Sequence, residues 1–374
     1  MDENNNKRVL NCYVAANYGG LGSLFVDLSN ELSERGWNLS VVLQRLEGEL
    51  LKDFSENIRV FGLGYKGPYS YLKMLYELIK LIRDVKPDIV ISHSWNLNVL
   101  TVLAVKMLNY QTKLILFEHS SPMSYRQLAK GRGIIKLITI PFLYRYADAL
   151  VVVSEGIKQD YVSQYSIESQ KIHVIPVPVN IIAVMKKSGD YIELPWVDDD
   201  QPIIMSAGIL YSLKNFPLLL EAFSIVHKER SCRLVLIGDG PDREILEKLA
   251  HKLNISDDFY ILGYQSNPFK YISRASIFVL PSKYEGFGKV LVEALALGIP
   301  IISTDCSGPL DILDGGKYGL LTPNNNVKAM AKAINHLLDN PDLGNRLSYI
   351  GVLRAKKYEP KAIYDTIETL IKEL

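Results

Sequence analysis

The sequence predicts an α/β protein built from two doubly wound domains, each a parallel sheet with helices on both faces. Three observations carry this. The 374 residues fit two domains at roughly 150 residues apiece. Through the first half, short apolar runs alternate with amphipathic stretches, the pattern of strands joined by helical crossovers. Between Pro176 and Pro202 that alternation stops in a polar, proline-containing stretch, and then it starts again.

Val9 to Ala15 reads as a buried strand. Ser23 to Arg35 reads as a helix, with Leu24, Leu28 and Leu32 on one face and Gly36 just past its end. Leu39 to Leu43 is the next strand. Tyr71 to Arg83 is a second helix, with Leu75, Leu78, Ile79 and Ile82 at helical spacing. Asp88 to Ser92, Lys113 to Phe117 and Ala149 to Val153 are further strands. In the second half the strands are Ile203 to Ala207, Arg233 to Ile237, Phe259 to Leu262, Ile277 to Leu280 and Pro300 to Ser303. Helices lie at Pro217 to Arg230, Arg243 to Leu253, Val290 to Leu297 and Val327 to Asp339. The last helix, Pro360 to Leu374, lies beyond the second sheet. The domains are therefore set at 1–185 and 186–358, with 359–374 expected to pack back on the first. Two such domains facing each other leave a cleft at the carboxyl ends of their strands, where ligands of doubly wound folds bind.

Composition narrows the function. The net charge is +1, with 42 basic and 41 acidic residues, and nucleic acid is not the expected partner because phosphate backbones select a basic surface. Cys12, Cys232 and Cys306 form no CxxC pair and no disulfide framework, which fits a reducing compartment. Met1 to Arg8 is polar and is followed directly by a strand, unlike a signal peptide. The most apolar run, Ile134 to Leu143, is interrupted by Lys136 and Pro141 and is too short to span a bilayer. A cytoplasmic protein is expected, in contact at most with a membrane surface.

Two loops stand out. Asn17-Tyr18-Gly19-Gly20-Leu21-Gly22-Ser23 runs from a strand into a helix, where Gly19 and Gly20 let backbone N–H groups approach an anion. It lacks the spacing of a dinucleotide fingerprint and the Gly-Lys-Ser/Thr of a Walker loop, and it reads equally as a tight turn. The second is Pro281 to Pro300, after another strand. Glu285 precedes the helix there, and Glu293 lies more than a turn inside it, among Val290, Leu291, Val292, Ala294 and Leu295. A carboxylate in such a setting is costly unless hydrogen-bonded, and a sugar or ribose diol supplies two donors. Gly286 and Gly288 offer backbone N–H groups at the helix start. Asp198-Asp199-Asp200 contains a DxD pattern, but in a polar linker it reads as a solvated acidic turn.

The Glu285-to-Glu293 spacing with Glu-Gly-Phe-Gly inside it resembles the E-x7-E motif of retaining glycosyltransferases of GT-B fold, and more closely family 4. Further matching pieces follow in order: Gly19-Gly20, Ser154-Glu155, Ile175 to Asn180, Ala207-Gly208 with Lys214-Asn215, Ile237 to Pro241, Ser307-Gly308-Pro309 and Tyr318 to Leu321. The resemblance implies a second domain that binds a nucleotide sugar. Glu293 would hold the ribose hydroxyls and Glu285 the transferred sugar. Gly286, Phe287 and Gly288 would offer backbone amides. Lys214 would neutralise the diphosphate leaving group. Gly19, Gly20, Gly238 and Tyr264 would complete the donor site, Tyr264 near the base. In the first domain His119 would act beside the reacting sugar, and His93 would wall the acceptor side. His173 reads as structural.

The resemblance also implies a hexose or N-acetylhexosamine donor, UDP-linked, and a glycan or lipid-linked acceptor in surface polysaccharide or glycoconjugate assembly. No cofactor and no metal are expected. One position departs from the family, which carries an arginine where this chain has Ile209. Either another group compensates, such as Arg126 or Arg132 from the other domain, or activity is weak. The segment 126–145 mixes Arg126, Lys130, Arg132, Lys136 and Arg145 with Ile134, Ile135, Leu137, Ile138 and Phe142. It suits an anionic membrane surface, and equally a core-facing helix with a basic outer face. A UDP-sugar epimerase of the same architecture and a non-catalytic nucleotide-sugar-binding relative are the competing functions.

Overall fold

The computed structural model describes residues 7–17, 20–67, 70–120, 132–192 and 201–374, without the side chains of 132–134. The chain divides into two compact units, Met1–Pro178 with Lys361–Leu374, and Val179–Pro360. The first runs β1 (Arg8–Tyr13), α1 (Gly20–Glu34), β2 (Asn38–Leu43), β3 (Arg59–Gly62), α2 (Tyr71–Val85), β4 (Ile89–His93) and α3 (Trp95–Leu108). It continues with β5 (Lys113–Glu118), α4 (Arg132–Leu143), β6 (Ala149–Val152), α5 (Glu155–Tyr165) and β7 (Ile172–Val174). Its strands form one sheet in the order β3-β2-β1-β4-β5-β6-β7, parallel throughout. Val9, Val41, Ile91, Ile115 and Val151 pack with Phe25, Leu28 and Leu32 of α1. The alternate residues Leu10, Val42, Val90 and Leu116 are buried as well. Burial of both faces is what a parallel sheet between helical layers requires, and it makes each strand read as a continuous apolar run.

The second unit runs α6 (Ile181–Ser188), β8 (Ile203–Ala207), α7 (Phe216–His227), β9 (Arg233–Ile237), α8 (Arg243–Lys252), β10 (Phe259–Ile261), α9 (Phe269–Ile272) and β11 (Ile277–Leu280). After these come α10 (Lys289–Ala296), β12 (Ile301–Thr304), α11 (Ser307–Ile312), β13 (Leu320–Thr322), α12 (Val327–Asp339) and α13 (Pro341–Ala355). Its sheet has the order β10-β9-β8-β11-β12-β13, again parallel throughout. Ile204, Leu234, Leu236, Val279 and Ile302 pack with Phe216, Leu219 and Phe223 of α7, Leu246 of α8, and Met330 and Ile334 of α12.

The chain ends in α14 (Pro360–Glu373). Its stripe of Ile363, Tyr364, Ile367, Leu370 and Ile371 enters the core of the first unit, at the helical spacing of one buried face. Arg35 Nη1 lies 2.7 Å from both Asp365 and Glu368 of this helix. The units part at Pro178/Val179 and not at 185/186, because α6 packs on α9 and α10 of the second unit. The edge strands β3, β7 and β13 do not stand out in the sequence. They have three or four residues each, too few for a period to show. Helix α3 is also missed, because seven of its residues are buried and it lacks a clear polar face. Among the described residues no helix is long and apolar enough to cross a membrane.

Candidate active site

Each sheet reverses its strand order once, between β1 and β4 in the first unit and between β8 and β11 in the second. The loops leaving neighbouring strands there diverge to opposite sides and open a crevice at the carboxyl edge. Lys214 and Glu285 lie in the loops that leave β8 and β11, and His93 ends β4.

In the second unit the loop after β8 carries Lys214, and the loop after β11 carries Glu285. Lys214 Nζ lies 2.5 Å from Glu285 Oε2, with both side chains largely enclosed. Ser282 Oγ donates to the same oxygen at 3.4 Å. Gly208, at φ +156°, gives the lysine its path, since a Cβ there would lie 3.3 Å from Lys214 Cε. The two loops are bound together by Lys283 N–H donating to Leu213 O at 2.8 Å. The loop after β11 is fixed further by Thr304 Oγ1 donating to Ser282 O at 2.6 Å, Asn324 Nδ2 to Lys283 O at 2.8 Å, and Gly308 N–H to Glu285 O at 3.0 Å. None of these four tethers was legible as a motif. They preorganise a cation and a carboxylate that are distant in sequence.

Gly288 caps α10 at φ +91°, and a Cβ on it would lie 3.2 Å from Glu285 Cγ. Gly286 is half-buried beside it. The Phe287 ring turns into the core, 5.5 Å from Tyr358 in an edge arrangement, so this residue can offer a ligand only its backbone. Gly238 has a packing reason of its own. It sits at φ +138°, and a Cβ would lie 2.0 Å from Gly208 O. Its N–H donates to Gly263 O at 2.9 Å, so that amide is committed to the β9–β10 edge.

Glu293 lies in the second turn of α10 and is 9% exposed. Lys289, one turn earlier, brings Nζ to 3.6 Å from its Oε1. Burial raises the Glu293 pKa above the usual carboxylate range, and Lys289 counters part of that shift. Tyr264 follows β10 and is 76% exposed. Ile209, where the family resemblance implies a cation, is 63% exposed. Arg126 and the Arg132 side chain lie outside the described residues, as do Gly19 and Asp198 to Asp200. Gly20 opens α1.

In the first unit His119 follows β5 and lines a pocket of about 150 Å³ with Trp95, Asn96, Glu118, Ser120 and Lys136. Glu118 is buried and accepts from Asn98 Nδ2 at 3.1 Å and from the Tyr144 hydroxyl. Lys136 Nζ stands 5.2 Å from the centre of the Trp95 ring. Trp95 itself, unmarked by any motif, starts α3 directly after the β4 edge. His93 does not wall this pocket. It is 2% exposed, stacked on Phe117 with ring centres 4.5 Å apart, and stands behind His119 with Nδ1 at 3.5 Å from His119 Nε2. A histidine closing a strand reads as a loop residue in the sequence, whereas here it is the last residue of β4 and packs inside. His173 lies within β7. Among the described residues, no group of three or more His, Cys, Asp or Glu comes together to hold a metal ion.

Residues 18–181 match the profile described as Glycosyltransferase Family 4, and residues 195–354 that of Glycosyl transferases group 1. The chain is 30% identical over 372 residues to the uncharacterized glycosyltransferase MJ1059 of Methanocaldococcus jannaschii, covering 88% of each chain. The protein belongs to the GT4-like glycosyltransferases. A Campylobacter jejuni N-acetylgalactosamine-N,N'-diacetylbacillosaminyl-diphospho-undecaprenol 4-alpha-N-acetylgalactosaminyltransferase is 26% identical over 271 residues, 72% of each chain. Anabaena HepE, solved in complex with UDP, shares the fold with a TM-score of 0.82 at 16% identity, over 98% of this chain and 100% of HepE. The two parallel-sheet units are those of the GT-B fold.

In this glycosyltransferase the burial of Glu293 has a measurable sign. Its folded pKa is raised, chiefly by burial. The stabilisation from its neutral form is therefore full below the ordinary carboxylate pKa and is lost as pH rises through the raised value. Glu293→Gln keeps the neutral form at every pH. The variant's Tm relative to wild type is expected to increase from pH 4 to pH 8 in thermal unfolding without nucleotide. A pH-independent difference contradicts this.

Proposed function

We propose that the protein is a retaining glycosyltransferase. It moves a hexose or N-acetylhexosamine from a UDP-sugar to a glycan or lipid-linked acceptor, in the assembly of a surface polysaccharide or glycoconjugate. The Lys214–Glu285 pair at the β8/β11 reversal carries this reading. UDP bound to the HepE fold and the diphospho-undecaprenol acceptor named for the Campylobacter relative support the choice of donor and acceptor.

In the proposed reaction the bond between the anomeric carbon and the diphosphate oxygen breaks through an oxocarbenium-like state. Lys214 and the backbone N–H groups at the start of α10 meet the charge that grows on the departing diphosphate. Glu285, released from Lys214, accepts hydrogen bonds from hydroxyls of the transferred sugar, and Glu293 accepts from the ribose diol. The acceptor hydroxyl enters on the face the diphosphate leaves. Its oxygen bonds to the anomeric carbon and its proton passes to the departing phosphate oxygen, so the configuration is retained. Lys214 supplies the counter-charge, and the reading requires no metal. Incubation with UDP-sugars, with and without a lipid-linked acceptor, tests this, with the product anomer read by ¹H NMR. Retained transfer that needs the acceptor is expected. An epimerised sugar formed without acceptor, or no turnover of any donor, contradicts it.

The reading includes contact with an anionic membrane on the cytoplasmic side. Ile135, Ile138 and Phe142 are exposed along α4, beside exposed Tyr146 and Met107. The Arg145 guanidinium stands over the rings of Phe142 and Tyr146 at 5.7 and 5.2 Å, and Lys106 Nζ over Tyr146 at 4.3 Å. Apolar side chains ringed by cations suit a surface with anionic headgroups. Flotation with phosphatidylglycerol vesicles is expected for wild type and is expected to be lost in Ile138→Asp/Phe142→Asp. Equal flotation of both proteins, or none of either, contradicts the contact.

A further inference from the structure

Behind His119 lies a chain of buried polar groups whose hydrogens can be assigned one after another. Ser29 Oγ, on α1, donates to Phe25 O at 2.8 Å, so its hydrogen is committed. Its lone pairs then receive Asn11 Nδ2, on β1, at 3.0 Å. That orients the Asn11 amide with its oxygen toward His93 Nε2, 3.1 Å away. An amide oxygen only accepts, so His93 Nε2 carries a hydrogen. A neutral imidazole protonated at Nε2 has a lone pair at Nδ1. His93 Nδ1 faces His119 Nε2 at 3.5 Å, with the two rings within 9° of parallel. The hydrogen between them therefore belongs to His119 Nε2, which leaves His119 Nδ1 as a bare acceptor. That atom is buried and has no hydrogen-bond partner among the described residues.

We propose that Ser29, Asn11 and His93 are positioning residues that lock His119 in its Nε2–H tautomer, so that Nδ1 accepts a hydrogen bond from a hydroxyl of a sugar substrate. The sugar in this statement rests on the transferase reading; the tautomer does not.

The surroundings keep both rings neutral, as the chain requires. Burial pushes the His119 pKa down to about 4 and holds His93 well below its ordinary value, with the neighbouring ring adding to the effect on His93. The titratable groups around them are few. Tyr13 of β1 meets His93 edge-on, with ring centres 6.1 Å apart. Glu118 of β5 directs its carboxylate to Tyr144 and Asn98. Lys136 of α4 lines the pocket with His119. A second bound proton would place a donor at His119 Nδ1 and abolish acceptance, so the acceptor role persists at every pH above the depressed value.

The test is ¹⁵N NMR of the full-length protein with labelled histidine, without substrate, from pH 5 to 8. His119→Asn and His93→Phe assign the two signals. His119 is expected as a neutral ring with Nε2 protonated and Nδ1 bare, unchanged across the range. In Asn11→Ala the Nδ1–H form of both rings is expected to appear, because the amide oxygen no longer selects the tautomer. An Nδ1–H signal for His119 in wild type, or titration near the ordinary histidine pKa, overturns the proposal. So does an Asn11→Ala spectrum identical to wild type. The wild-type spectrum decides the tautomer even if Asn11→Ala fails to fold. It is also independent of turnover, so an inactive protein with this spectrum overturns the transferase reading and leaves the hydrogen chain standing.

Discussion

Lys214→Met is expected to lower kcat for sugar transfer by about 10²–10³-fold, the usual loss when one preorganised group at a developing charge is removed. Among the described residues, the ammonium is the one cation in contact with the Glu285 carboxylate at the β8/β11 reversal. Ile209 stands where the family resemblance implies a second cation. The single variant also strands Glu285, whose side chain is 17% exposed, and an enclosed carboxylate without its cation destabilises a fold. Lys214→Met combined with Glu285→Gln removes both charges and separates the two effects. The double variant is expected to unfold at nearly the wild-type temperature and to remain inactive. Wild-type turnover in either protein removes Lys214 from the mechanism.

Gly238→Ala is expected to destabilise the protein by about 3–5 kcal/mol, among the larger effects of a single substitution. The new Cβ would lie 2.0 Å from Gly208 O at a backbone φ of +138°, so it adds overpacking to a conformation that L-residues avoid. β8 and β9 must separate to admit it, and Gly208 carries the path of Lys214. Weaker UDP binding should therefore accompany the lower Tm of the full chain. A normal Tm with lost UDP binding would mean that Gly238 is there for the ligand and not for the close approach of two backbones.

The contrast between Lys214 and Gly238 shows what the sequence discloses. Lys214 came from the family resemblance alone, His119 from the resemblance and its place at the carboxyl end of a strand, and Glu285 from a glycine-bearing loop between a strand and a helix. Glu293 was legible for a different reason, an acid among Val290, Leu291, Val292, Ala294 and Leu295 with an evident need for partners. The pairing of Lys214 with Glu285 was not legible, since it depends on β8 and β11 being neighbours, and a strand carries no signal for its neighbour. His93 was misplaced because a residue at a strand end can face the crevice or the core, and only packing on Phe117 decides. The return of α14 to the first unit rests on a stripe that needs a core, and the stripe alone does not say which core. Asn11 within Val9 to Cys12 and Ser29 within the apolar face of α1 were the available signals for the chain behind His119. Each is a buried polar residue in an otherwise apolar setting, and two of them at matched depth on neighbouring elements require each other.

A crystal structure of the protein with UDP is expected to show the diphosphate against Lys214 and the first N–H groups of α10, with Lys214 drawn off Glu285 and the ribose hydroxyls on Glu293. UDP bound elsewhere, with Lys214 still held by Glu285 and Glu293 meeting only Lys289, contradicts it.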